Sequence, residues 1–170
     1  MTLEEITDIL KESRVDPFPI RKTEYHKWVI DTHGLGDVTV TVDPLSYEDY
    51  NILHVSFRNS GGYSSDNNMG SSANRVLWSV IHILESIPKP DLFIFYPVDS
   101  SEDLLAKKTR IYGKLILLLR RENVVIRSGS KILDNSVKVF WVMPAGSKTS
   151  LLDDDSVVSV IEQAAFRKLG

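Results

Sequence analysis

The chain has no cysteine. That excludes a disulfide framework, a thiol nucleophile and cysteine-ligated zinc, and it accords with a reducing interior. Long apolar runs are also missing: no stretch approaches the ~18 apolar residues a membrane span needs, and residues 1–12 have the charge of an amphipathic helix without the apolar stretch of a signal peptide. A soluble, cytoplasmic protein with no membrane contact is expected. Positive charge is not in excess. Lys and Arg number 20 against 23 Asp and Glu, a net charge of -3, so no overall field draws the chain to nucleic acid and no such partner is expected. There is no Gly-x-x-x-x-Gly-Lys-Ser/Thr loop, no His-Glu-x-x-His pair and no Gly-x-Ser-x-Gly elbow. The four histidines, at 26, 33, 54 and 82, share no ligand spacing. The acids Asp153–Asp155 suit a helix start better than a cation, so no metal is expected.

What is present fits one ordinary domain over residues 1–170, with a core in 1–143 and a linker and helix in 144–170. Thr2 is placed to cap a short first helix that carries Leu3, Ile6, Ile9 and Leu10 on one face and stops near Asp16-Pro17. Three strands are predicted next, Tyr25–Thr32, Asp37–Asp43 and Ile52–Asn59, the first two joined by a turn at His33-Gly34-Leu35-Gly36. Ser72–Ile87 is apolar around most of its circumference and predicts a helix buried against a sheet, ended by Pro88 and Pro90. Asp91–Tyr96 is apolar without alternation, the pattern of a strand covered on both faces. Ser101–Glu122 predicts a second long helix with a basic stripe of Lys107, Lys108, Arg110, Lys114, Arg120 and Arg121. A hairpin over Val124–Leu133 and Val137–Met143, turning at Asp134-Asn135, precedes a last helix that begins at Asp153–Ser156. The fold class expected is α/β of the α+β kind: a single mixed, mainly antiparallel sheet with helices on both faces.

Between the third strand and the buried helix lies Ser64–Ser72, small and polar. Small residues at a helix start let an anion approach unpaired backbone amides. The alternative is that Ser71 or Ser72 only caps the helix. The basic stripe likewise has two readings, a solvated face or a contact for phosphate, nucleic acid or an acidic partner.

This order of elements, with Asn67-Asn68-Met69-Gly70-Ser71-Ser72 before the buried helix and Lys108-Thr109-Arg110-Ile111-Tyr112-Gly113-Lys114-Leu115 in the next, resembles the GNAT-type N-acetyltransferases. Members of that family carry Arg/Gln-x-x-Gly-x-Gly/Ala in the loop. Here Gly70 matches, Ser72 is a small substitute and Asn67 replaces the long polar residue. The glycine-aromatic pair that usually follows the tyrosine segment is missing. Phe57–Leu115 also resembles small GNAT-like proteins encoded by bacteriophages, which would place the chain in a host cytoplasm.

The resemblance implies acetyl-coenzyme A as cofactor, held at Asn67, Gly70, Ser71 and Ser72 and along the preceding strand at Phe57 and Asn59. It implies Tyr112 as the acid that protonates the departing thiolate, with a general base from His54 or Glu24 (Asp99 being a further group at the central strand's end). The acceptor would be an amine on a small molecule or a protein. Against these roles, Tyr112 could be an amphipathic surface tyrosine, His54 a residue on a solvated strand face, and His82 a hydrogen-bonded core residue. A rival expectation is a catalytically silent protein of the same fold that binds a protein partner.

Overall fold

A computed structural model describes residues 2–34, 36–59, 70–96, 102–122, 125–132 and 138–169, without the side chains of 70–72, 102–105 and 166–169. The elements run α1 (Leu3–Lys11), β1 (Ile20–Glu24), β2 (Lys27–Ile30), β3 (Val38–Tyr47), β4 (Tyr50–Asn59), α2 (Gly70–Ser86), β5 (Leu92–Phe95), α3 (Glu102–Arg121), β6 (Val125–Ile132), β7 (Lys138–Pro144) and α4 (Asp154–Leu169). The seven strands form one sheet in the order β1-β2-β3-β4-β5-β7-β6. It is mostly antiparallel, with β4 and β5 parallel. The chain is thus mixed α+β, and none of its described helices is long and apolar enough to cross a membrane.

The residues group into two compact units, one of 1–10, 43–55 and 89–170, the other of 11–42 and 56–88. The first is built around β5. Its four residues are buried, as the unbroken apolar run predicts: β4 and β7 flank it in the sheet, and side chains of α4 and α3 meet its two faces. Side chains alternate along a strand, so Leu92, Ile94 and Tyr96 share one face and Phe93 and Phe95 the other. The first face joins Ile52, Trp141 and Met143 in a core cluster closed by Val157, Ile161 and Ala165 of α4. On the second face, Phe95 meets Tyr112 of α3.

Polar groups tie the unit together at Asp91, just ahead of β5. Its carboxylate accepts from the backbone N–H of Asn51 at 2.8 Å and of Lys148 at 2.9 Å. Its own N–H donates to the Asn51 carbonyl, and its carbonyl accepts from Ser147 Oγ. α4 starts as its sequence suggests: Asp153 Oδ1 accepts from the N–H of Ser156 at 2.8 Å, and these hydrogen bonds hold the carboxyl below its ordinary pKa. Thr2 Oγ1 accepts from the N–H of Glu5, the cap expected for α1.

In the second unit β1, β2 and β3 pair antiparallel in turn. His33, Gly34 and Gly36 all have positive φ in the β2–β3 connection, which explains the glycines of the turn expected there. α2 buries Val76, Leu77, Trp78, Val80 and Ile81, consistent with its nearly charge-free sequence. The stretch 12–19, which the sequence assigns largely to the first helix, is not helical. It is pinned to α2 instead: Ser79 Oγ accepts from the Phe18 N–H at 2.9 Å, and Arg75 donates to the Asp16 carbonyl while lying over the Phe18 ring.

Candidate functional site

Ligands in sheets with parallel strands bind beyond the strands' carboxyl ends, and β4–β5 is the parallel pair of this sheet. The register pairs Ile52 with Leu92, Leu53 with Phe93 and His54 with Ile94. His54 therefore stands level with Ile94, one residue before the end of β5, and its imidazole lies against the ring of Tyr96, with centroids 4.4 Å apart and planes tilted by 49°. Tyr96 is 9% exposed, and its hydroxyl is shielded from water without a hydrogen-bond partner. A buried hydroxyl left in that state costs about 1–3 kcal/mol. Burial also disfavours the phenolate and pushes the pKa up to about 12, so the group is a neutral donor throughout the physiological range.

Tyr112 occupies the other side of the sheet. It is 5% exposed, its ring 5.7 Å from that of Phe95 and 6.3 Å from that of Phe140. Phe95 and Tyr96 are adjacent on one extended segment and point oppositely, so the sheet itself separates Tyr112 from the His54–Tyr96 pair.

No protein-family model, curated protein or solved structure matches this chain.

The residues singled out in the sequence are accordingly judged by their places in the fold. His54 and Tyr112 belong to the same unit but to opposite faces. Glu24, at the end of β1, is exposed and lies 3.9 Å from Lys27. Phe57 and Asn59 are half-buried near the end of β4. Gly70, Ser71 and Ser72 form the first turn of α2, two residues earlier than the sequence suggests, so their amides include the unpaired donors of a helix start. Asn67, Asp99 and the turn at Asp134-Asn135 lie outside the described residues.

One expectation needs correcting. His82 is not a core residue but an exposed one on α2, since the apolar face of that helix leaves position 82 outward. The basic stripe of α3 makes contacts within the chain: Arg121 donates to the Ile9 carbonyl, Arg110 lies 3.6 Å from Glu5, Arg120 donates to Ser128, and Lys107, Lys108 and Lys114 interact within the chain as well. Among the described residues no cluster of His, Asp and Glu could hold a metal. Tyr96 was legible in sequence only as part of an apolar run; a tyrosine closing such a run, one step past its last phenylalanine, is the signal that could have marked it.

Proposed function

We propose that the chain is an acyl-coenzyme A-dependent N-acyltransferase-like protein of the GNAT type, acting on an amine. The observation that supports this reading best is the parallel pairing of β4 and β5, two strands connected by a crossover whose helix begins at Gly70. Parallel neighbours require such a crossover, and ligands of sheets with parallel strands bind beyond the strands' carboxyl ends. On this reading the amides of Gly70–Ser72 receive the pyrophosphate, and Phe57 and Asn59 flank the pantetheine. Coenzyme A would supply the acyl group as an activated thioester. The chain's own contribution is to orient the amine for attack and to hold a proton acceptor near it, for which His54 is the group on the β4–β5 pair.

Isothermal titration with acetyl-coenzyme A tests the reading. Saturable one-site binding that Gly70→Val abolishes, with far-UV circular dichroism unchanged, supports it; absence of binding by the native chain refutes it.

The position of Tyr112 favours a second reading, a catalytically silent protein of the same fold, such as a phage-type accessory protein that binds a protein partner. An acid enclosed by Phe95 and Phe140, across the sheet from His54, does not meet the same reacting atoms. Tyr112→Phe separates the two readings. Loss of turnover by about 10²-fold marks an acid, whereas full turnover leaves Tyr112 as packing.

A further inference from the structure

The hairpin of β1 and β2 keeps much of its surface open to water. Residues 21–24 are exposed, as are Tyr25 and Lys27 at the turn, and β1 is the end strand of the sheet. The chain as a whole is acidic, yet residues 20–28 carry Arg21, Lys22, His26 and Lys27 against the single acid Glu24. Lys27 lies 3.9 Å from Glu24 with both side chains exposed, and an ion pair in that setting holds its partners only weakly. Two aromatic rings stand among these cations. Lys22 Nζ is 5.4 Å from the ring centre of Tyr25 and 5.3 Å from that of Trp28, its cross-strand neighbour. Trp28 is buried, whereas Tyr25 is 79% exposed, the one exposed tyrosine, phenylalanine or tryptophan among the described residues. The turn beneath Tyr25 is fastened to β3, because the His26 carbonyl accepts from the Val42 N–H at 2.9 Å, and the His26 ring packs against Tyr25 with centroids 3.7 Å apart.

An open ring set among lysine and arginine suits single-stranded nucleic acid, whose unpaired bases stack on aromatic side chains while its phosphates pair with cations. An acidic polypeptide would use the cations and leave the ring idle. We propose that the β1–β2 hairpin binds single-stranded nucleic acid, with a base stacked on Tyr25 and neighbouring phosphates paired with Arg21, Lys22 and Lys27. The net charge of -3 opposes such a partner at long range only, since salt screens distant charges and leaves the local ones to decide contact. Nothing in this role depends on acyl transfer.

Fluorescence anisotropy of a labelled oligothymidylate, titrated at low salt and across a salt series, tests the proposal. The native chain is expected to bind it saturably, with an affinity that falls as salt rises. Tyr25→Ala should lower the affinity about 5- to 100-fold, the usual effect of one stacked base, without changing the salt dependence, while Tyr25→Trp retains the affinity. Arg21→Ala and Lys27→Ala should each flatten the slope of log affinity against log salt by about 0.7, the effect of one phosphate contact on a single strand. All these side chains are exposed, so far-UV circular dichroism of the variants should match that of the native chain. Absence of binding by the native chain overturns the proposal, as does full affinity in Tyr25→Ala. Equal binding of a duplex, or displacement of the oligonucleotide by polyglutamate at matched charge, overturns it as well and leaves the hairpin as a general surface for anions.

Discussion

Trp141 shows how closely single residues are fitted. Its indole, 1% exposed, lies across the strand from Gly129, and a Cβ at that glycine would stand 2.5 Å from Cζ2 of the ring. The guanidinium of Arg127 covers the ring at 5.5 Å while donating to Asp154. Gly129→Ala must displace a fully buried indole and should destabilise the chain by about 1–3 kcal/mol in chemical denaturation. Tyr96 gives a second prediction, in alkali. The phenol ionises near 10.0 when unfolded and at about 12 when folded, so the folded state holds the proton more tightly. The stability this confers is fully present below pH 10 and is lost as pH rises through 12. Tyrosinate absorbance of the native chain minus that of Tyr96→Phe should show no ionisation at pH 10. At this scale the sequence was partly legible. Hydrophobic runs announce burial, so Tyr96 and the phenylalanines of β5 were read as interior. Hydrogen-bond satisfaction depends on which atoms meet across the fold, and nothing in a one-dimensional pattern marked the Tyr96 hydroxyl as lacking a partner.

The elements with a marked apolar pattern, periodic or continuous, were readable to within two residues or so: α2, β5, α3, β6, β7 and α4. β1 was not foreseen. Its sequence, Ile-Arg-Lys-Thr-Glu, is exposed at four of five positions and exists as a strand through its pairing with β2, so no apolar alternation announces it. β3 continues through Pro44 to Tyr47, past the Val38, Val40, Val42 alternation that marks the strand only as far as Asp43. The first helix ends at Lys11 rather than near Asp16, because hydrogen bonds with Arg75 and Ser79 tie the following stretch to α2. The caps give element-scale predictions. Asp153→Ala should lower the melting temperature at neutral pH by removing the acceptor at the start of α4. The depressed pKa of Asp153 means its contribution is present above the ordinary carboxylate range and lost as pH falls below it, so the two proteins should converge in acid. Asp91→Ala leaves two backbone N–H donors without their carboxylate and should cost about 2–4 kcal/mol, with Asp91→Asn between it and the native chain.

For the molecule as a whole, the expectation of one mixed, mainly antiparallel sheet holds, and β5 lies inside it. The order in which β7 is inserted between β5 and β6 was beyond the sequence reading, since hydrophobic patterns identify interior strands without naming their neighbours. If the acyltransferase reading is right, acetyl-coenzyme A stabilises the chain by mass action, by about 2.7 kcal/mol at a hundredfold excess over its dissociation constant, and thermal melting with and without ligand checks this. The Asp91 network also bears on how the chain reaches its fold. Its carboxylate is met by Asn51, 40 residues upstream, and by Lys148, 57 residues downstream. Contacts that close such long stretches form only after the loop entropy has been overcome, and they belong late on the folding pathway. Asp91→Ala should then speed unfolding several-fold while leaving refolding nearly unchanged. Asp91 would govern the lifetime of the native state rather than the speed with which it is reached.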